Sequence, residues 1–268
     1  MKKLMTLLLA LTLLLTACGT APENTDPSGT TAPQPTQPET RTLWVRSSST
    51  TQTGDITTRT DYVFDEDDRV CQVRVYTGPA MTHRYQVTCD DHGNYVLWES
   101  DGARIEYGYS EHGELLGYFA YTGDTLVSAT EYTVEGGLRT SVTQKMPGQN
   151  MEHRTTLTYD DHGVLTRQDS YLNGTLLDYS IYTLEEGKPS AMSTYLADGT
   201  LARTVTYRYE GETVTMTSDD GSRTEQVFDG HGNLLSQTDY APDGTVSTQQ
   251  TNTWKEIQVP ADSLRASL

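Results

Sequence analysis

The chain has 268 residues and carries 37 acidic against 19 basic side chains, a formal charge of −18. A surface of that sign repels nucleic acid and anionic lipid headgroups, which argues against both as ligands. It attracts cations and basic partners, although solubility in a crowded compartment is reason enough for it.

The first element is an export signal. Met1-Lys2-Lys3 is basic, and Leu4 to Leu15 runs almost entirely through Leu, Met, Ala and Thr. This is the layout of a secretory signal, and the stretch is shorter than the ~20 apolar residues of a transmembrane helix. Leu15-Thr16-Ala17-Cys18 resembles the lipobox of bacterial lipoproteins. The resemblance implies that residues 1–17 are removed and that Cys18 carries the lipid. The protein would then sit on the exported face of a cell membrane, at the cell surface or in the periplasm. Two or three acyl chains suffice for stable anchoring. Residues 18–42 follow as the lipidated cysteine and a tether of Pro, Thr, Gly, Ser and acidic residues. Such a composition stays extended, with a reach on the order of 60 Å.

Residues 43–255 are predicted to form one domain, with 256–268 as a C-terminal tail. The domain is built on an internal repeat. Asp68, Gly93, Gly113, Gly136, Gly163, Gly187, Gly211 and Gly232 recur 20 to 27 residues apart. Four residues before them stand Phe64, Cys89, Tyr109, Tyr132, Tyr159, Thr183, Tyr207 and Phe228, six of which are aromatic. Eight residues after five of them stand Tyr76, Tyr121, Tyr171, Tyr195 and Tyr240. A second turn signal follows in each unit, as in Asp101-Gly102, Asn173-Gly174 and Asp243-Gly244. Segments rich in Thr, Tyr and Val between turn signals every 8–12 residues read as strands. The prediction is an all-β antiparallel meander of about 16 strands in about eight hairpins. So many strands cannot stay flat, so the sheet must coil, fold into two layers or close. The expected form is a curled or spiralling single sheet. A membrane barrel is not expected, because the strands lack a consistent lipid-facing apolar set.

The hairpin over residues 71–89 illustrates the register. Centred on Ala80, it sets Val75 opposite Tyr85, Val73 opposite Val87 and Cys71 opposite Cys89, with the polar side chains on the other face. Cys71 and Cys89 are then either a disulfide or two buried thiols. Tyr76 falls on the polar face, whereas Tyr121 shares a face with Leu115 and Phe119. Bulges, or aromatic rows on both faces, would reconcile the two.

Phe64-Asp65, Tyr159-Asp160-Asp161-His162-Gly163 and Phe228-Asp229-Gly230-His231-Gly232-Asn233-Leu234 resemble the Tyr-Asp (YD) repeats of the Rhs family. The resemblance spans most of residues 60–250 and is clean in three or four units. It implies a spiralling β-sheet and an extracellular role.

No pattern names a reaction, and the chain is read as a non-enzyme without a cofactor. Gly108-Tyr109-Ser110-Glu111-His112-Gly113 superficially resembles a nucleophile elbow, but its glycines are one residue too far apart and no helix follows. His92, His112, His162 and His231 precede repeat turns without metal-ligand spacing, so no metal site is assigned. Asp65-Glu66-Asp67-Asp68 lacks the glycine and distal glutamate of a calcium loop and reads as a solvated acidic turn. The row of Tyr76, Tyr121, Tyr171, Tyr195 and Tyr240 is expected to pack the curled interior. Facing solvent, it would instead be an aromatic platform for glycans or an extended partner. The function expected is therefore a surface-anchored envelope lipoprotein that binds a glycan, wall polymer or protein partner without turnover. The alternatives are a hydrolase of envelope polymers, a structural spacer, or an immunity-like partner of a secreted toxin.

Overall fold

Strand after strand, the turn signals are used as hairpins in a computed structural model that describes residues 40–265. The signal peptide, Cys18 and most of the tether lie outside the described residues. The chain divides into Met1–Gln37 and Pro38–Leu268, and every described strand belongs to the second unit. Its first strands are β1 (Thr40–Thr53), β2 (Ile56–Phe64), β3 (Val70–Thr77), β4 (Ala80–Cys89), β5 (Tyr95–Ser100) and β6 (Ala103–Tyr109). Next come β7 (Leu115–Thr122), β8 (Thr125–Glu135), β9 (Leu138–Met146), β10 (Met151–Tyr159), β11 (Leu165–Leu172) and β12 (Thr175–Glu185). The last are β13 (Lys188–Leu196), β14 (Leu201–Glu210), β15 (Thr213–Ser218), β16 (Arg223–Phe228), β17 (Leu234–Tyr240) and β18 (Val246–Pro260). β18 thus runs on into the segment read from sequence as tail.

Each strand pairs antiparallel with the next, and β1 also pairs with β18 from Thr40↔Pro260 to Thr53↔Thr248. The sheet is therefore a closed barrel of 18 strands, which corrects the expected curled open sheet of about 16. The eight repeat anchors delimit β2 to β17. The two strands outside the repeat are the ones that close it, and at 14 and 15 residues they are the longest. Their union removes both sheet edges at once.

Bulges supply the curvature. At Phe64, Cys89, Tyr109, Tyr159 and Phe228 the register slips by one residue against the following strand. A residue is left unpaired at each, and the strand bends there. The bulge in β7 also resolves the conflict over Tyr121, because it sets Leu115 against inward-facing Tyr109 and leaves Tyr121 facing out. In the β3–β4 hairpin Val73 faces Tyr85 and Gln72 faces Gln86, so the turn is Gly78-Pro79 rather than Ala80. Cys71 and Cys89 are consequently not opposite each other. Both are free, with their thiols donating to the carbonyls of Val63 (3.4 Å) and Val70 (3.6 Å). Burial pushes the Cys89 thiol up to about 11, so it stays protonated at neutral pH.

A circular ring of eighteen strands would be on the order of 35 Å across, against the ~10 Å that two facing side-chain layers fill. Only eleven apolar side chains are buried among the described residues, so the interior is lined rather than packed as a core. Burial alternates along the strands and identifies the inner face. Val73, Thr130, Thr155, Leu157, Ser170, Ser180, Val205, Ser218 and Asn252 lie on it, all buried. The outer face carries ion pairs between same-strand neighbours: Arg59–Asp61, Arg104–Glu106, Arg167–Asp169, Arg208–Glu210 and Arg223–Glu225. Exposed pairs of this kind add little stability. Their meaning is that the outside of the barrel is made for water, since charge in a lipid-facing band is costly.

The two rims differ. At one rim the repeat motif forms a recurrent four-residue turn in which the residue after the aromatic is the organiser. Asp160 shows the pattern: its backbone N–H donates to Val164 O (2.9 Å), and its carboxylate accepts from the N–H groups of His162 (2.9 Å) and Val164 (2.8 Å). Asp65, Asp90 and Asp229 repeat it, and Ser110 does so with its hydroxyl. These backbone donors hold the Asp160 carboxyl below the usual aspartate range. A depressed native value contributes stability above the ordinary aspartate pKa of about 3.9, and that stability is lost as pH falls through the depressed one. Asp160→Asn, which keeps an acceptor but cannot ionise, is expected to flatten the acid limb of the unfolding profile below about pH 4. An unchanged limb in acid titrations followed by circular dichroism would refute that assignment.

The same rim is capped by the chain's own ends. β2 pairs with β1 only from Ser48, and β17 with β18 only as far as Thr251. Beyond a bulge between Arg46 and Ser48, the two strands continue as a ribbon of their own. Leu43, Val45, Ile257 and Val259 form its buried apolar cluster, with Phe64 packed against it. Trp44 stacks on His231 at 4.6 Å, and Lys255 pairs with Asp68, so the ribbon touches turns on both sides of the seam. The tail then crosses the next turns. Arg265 donates to Asp68 O (2.8 Å), Asn94 donates to Leu264 O (3.2 Å), and Arg41 donates to Ser263 O (2.8 Å). At the opposite rim, a side chain added at Gly54, Gly78, Gly102, Gly123 or Gly174 would meet nothing within 4 Å. One rim is covered from the β16–β17 turn round to the β6–β7 turn, and the other is bare among the described residues.

Candidate functional site: the barrel lumen

Alternate residues of β2 to β8 point inward, and in this arc a run of them is aromatic. Tyr62 meets Trp98 at 6.5 Å, Tyr85 meets it at 6.0 Å and Tyr95 at 5.5 Å. The chain continues from Trp98 to Tyr107 (5.8 Å), to Tyr118 (6.0 Å) and to Tyr132 (6.5 Å). All these separations fall within the ~4.5–7 Å range of favourable ring pairs. The rings are only partly buried. They are nonetheless surrounded by protein, and burial pushes the phenols of Tyr62, Tyr95 and Tyr107 above the ordinary tyrosine range. Partial exposure within dense surroundings is the signature of a concave wall. The indole N–H of Trp98 and the hydroxyl of Tyr109 are buried without a hydrogen-bond partner among the described residues.

The other arc, β10 to β18, is largely polar. Ser180 and Thr194 share a hydrogen bond of 2.8 Å, Gln226 donates to Gln237 (2.8 Å) and Gln250 to Asn252 (3.0 Å). Thr224 donates to Asp239 (2.7 Å). The lumen thus has an aromatic side and a side rich in amides, hydroxyls and carboxylates, with Asp178 opposite Ser170 and Asp239 opposite Thr224.

The tyrosine row sits elsewhere. Tyr76, Tyr121, Tyr171 and Tyr240 are on the outer face, each directly across the ladder from an arginine. Arg59, Arg104, Arg154 and Arg223 lie over these rings at 4.4, 4.0, 4.8 and 4.2 Å. Tyr195 stacks instead on Tyr179 at 5.2 Å, and Tyr179 lies beneath Arg167. The row is therefore not interior packing. Nor is it a bare platform, since guanidinium groups or another ring cover its members.

The remaining sequence candidates are turn chemistry. His92, His112, His162 and His231 each occupy a separate rim turn, and their backbone N–H groups donate to Asp90, Ser110, Asp160 and Asp229. No group of three or more metal-ligating side chains occurs among the described residues. Ser110 organises its own turn through Glu114 (3.1 Å), and no helix follows it. Asp65 accepts from the N–H groups of Asp67 and Arg69, and Asp68 pairs with Lys255. The lumen aromatics Tyr62, Trp98, Tyr107 and Tyr118 are not among the residues that the repeat picks out. Their signal is the i, i+2 alternation within single strands, which a comparison across repeats does not bring forward.

No protein-family model matches the chain, and no curated protein matches it. Among solved structures, a porin-like protein from Bacteroides uniformis is similar over 78% of this chain and 96% of its own, at 10% identity and a TM-score of 0.44. A porin-like protein from Bacteroides vulgatus is similar over 79% of this chain and 98% of its own, at 9% identity and a TM-score of 0.44. The toxin assembly TcdB2-TccC3 is similar over 74% of this chain, at 11% identity and a TM-score of 0.35, but this chain spans only 15% of it. Likenesses at this level decide neither family nor activity.

Proposed function

We propose that this protein is a tethered, non-catalytic binding protein of the cell envelope whose barrel lumen takes a glycan or wall-polymer strand through the bare rim. The observation that carries the proposal is the inner aromatic wall from Tyr62 through Trp98 to Tyr132, set in one lumen with a polar arc. Sugars present apolar ring faces that stack on aromatic side chains, and hydroxyls that exchange hydrogen bonds with amides and carboxylates. A water-facing exterior suits a domain held off the membrane on a tether. In this reading Cys18 holds the lipid and residues 19–39 carry the barrel clear of the headgroups.

Titration with oligosaccharides of envelope polymers, followed by tryptophan fluorescence and calorimetry, tests the proposal. Saturable binding is expected, and Trp98→Ala should weaken it by at least about tenfold, as truncation of a central aromatic contact does. Binding that survives Trp98→Ala and Tyr107→Ala together, in variants that melt like the parent, would sink the lumen as the site.

A further inference from the structure

The bare rim carries a feature that the glycan reading does not use. A cavity of about 380 Å³ opens there, lined by Met192, Arg203, Val205, Tyr207, Met216 and Asp239 among others. Its volume lies within the ~300–1,000 Å³ range of small-ligand sites. Met192, Val205 and Met216 give part of its lining an apolar and adaptable character, because methionines fit irregular aliphatic shapes. The phenol of Tyr207 rests against the Met192 sulfur at 3.9 Å, which fixes one wall.

Three charged side chains line this cavity, Arg203, Arg223 and Asp239. Arg223 is paired with Glu225 on its own strand, which leaves Arg203 and Asp239 as opposite charges without an ion pair among the described residues. On β14, Arg203 donates from Nε to the Ser218 hydroxyl (2.8 Å), which donates in turn to Asp219 (3.3 Å). That anchors the guanidinium while its terminal nitrogens have no protein partner among the described residues. On β17, Asp239 accepts from the Thr224 hydroxyl (2.7 Å) and the Gln237 amide (3.3 Å), and no cation pairs with it among the described residues. β14 and β17 are three strand spacings apart, about 14 Å between backbones at ~4.8 Å each. The arginines of the outer face behave differently, since Arg59, Arg104, Arg167 and Arg223 each pair with an acid two residues along the same strand. Arg203 is instead steadied by the Ser218 hydroxyl, near enough to Asp220 to interact electrostatically with that carboxylate, and Asp239 by the Thr224 hydroxyl and the Gln237 amide; neither makes an ion pair among the described residues. Arg203 is exposed, so a solute at the rim reaches it directly.

We propose that this cavity binds a small zwitterion with an aliphatic side chain, an α-amino acid. Its carboxylate would lie on Arg203 and its ammonium on Asp239, with the side chain against Met192, Val205 and Met216. A guanidinium matches a carboxylate geometrically, and a charge-assisted hydrogen bond is roughly twice as strong as a neutral one. A zwitterion engages both charges at once and adds no net charge to a strongly acidic protein. A simple anion or a simple cation satisfies one charge and leaves the other.

The test is calorimetric titration of the full chain in detergent with L-leucine, with its amine analogue 3-methylbutylamine and with its acid analogue 4-methylpentanoate. Leucine is expected to bind in the micromolar to low-millimolar range, and each analogue at least about tenfold more weakly, the loss of one charge-assisted hydrogen bond. Arg203→Gln and Asp239→Asn should each reduce leucine affinity by a similar factor. No heat of binding with leucine up to about 10 mM would overturn the proposal. So would analogues that bind as well as leucine, a comparison made on the parent protein and independent of whether the variants fold. Neither result bears on the aromatic arc, because Trp98 does not line this cavity.

Discussion

Ile257→Asp is expected to unfasten the barrel at its seam and to cost more stability than any other single substitution in the ribbon. Ile257 is 2% exposed and sits with Leu43, Val45 and Val259 in the apolar cluster. Truncation to alanine alone should cost about 2–4 kcal/mol, from lost transfer free energy and the cavity left behind. A carboxylate in that cluster is desolvated among apolar side chains, and the nearby cations are already engaged, Lys255 by Asp68 and Arg41 by carbonyls of the tail, so it costs more. The seam is the weak point for a topological reason. Every other pair of neighbouring strands is joined by a short turn, whereas β1 and β18 are held together only by non-covalent contacts, the ladder and the apolar cluster foremost. Once that ladder opens, β1 and β18 become free sheet edges. Denaturant unfolding should show the lowered midpoint, and hydrogen exchange should show early opening of residues 40–53 and 246–260. Ile56, 62% exposed at the bare rim, is the control: Ile56→Ala should change stability by less than about 0.5 kcal/mol. Equal effects of Ile257→Ala and Ile56→Ala would refute the buried seam.

Gly113→Ala is expected to expel the tail from the capped rim. Two separate penalties act at this residue. Its φ of +79° lies in the left-handed region, where a Cβ costs roughly 1–2 kcal/mol. That Cβ would also run into the backbone carbonyl of Leu264, which cannot rotate away as a side chain would. Gly102, with φ +71° and open space around it, carries the first penalty without the second. The comparison therefore isolates the tail. Gly102→Ala should lose about 1–2 kcal/mol, and Gly113→Ala should lose more while residues 261–265 become open to proteolysis. Removing residues 261–268 should erase the excess at Gly113 and leave Gly102 unchanged, the outcome expected of two coupled sites. If the excess persists in the truncated chain, the tail is not what Gly113 accommodates. Near it, Gly93 faces the flexible end of Arg265, so Gly93→Ala should be the milder of the two substitutions at this rim.

Much of the barrel is legible in the residues because strands and hairpin turns are local. The Asp-x-x-Gly turns, the recurrent aromatic before them, and the Thr, Tyr and Val segments between them point to an all-β meander. Each of these signals depends on a few neighbouring residues. Alternation alone centres the β3–β4 hairpin on Ala80, whereas the chain turns at Gly78-Pro79 and its cross-strand partners are shifted by two residues. A two-residue slip leaves every side chain on its own face, so alternation cannot detect it. It does change partners, which is why Cys71 and Cys89 are not opposite each other.

Sidedness lies beyond the sequence for a related reason. Alternation separates Tyr76, Arg74 and Gln72 from Val73 and Val75, but it does not say which set faces the concave side. That is settled by the direction in which eighteen strands curl. Bulges contribute to that curl at both ends of the strands, at Phe64, Cys89, Tyr109, Tyr159 and Phe228 and again at Tyr76, Tyr121, Tyr171, Tyr195 and Tyr240. The tyrosine row consequently lies outside beneath arginines, and the aromatic wall of the lumen is made by Tyr62, Trp98, Tyr107 and Tyr118.

By itself, then, the sequence determined the strand content, the turn chemistry and the repeat, because each is decided within about ten residues of chain. Only the tertiary structure decided that the sheet closes and that its interior is a lumen. Closure depends on Thr40–Thr53 meeting Val246–Pro260 across nearly the whole domain, a pairing that no periodicity encodes and that the geometry of all the hairpins between them brings about.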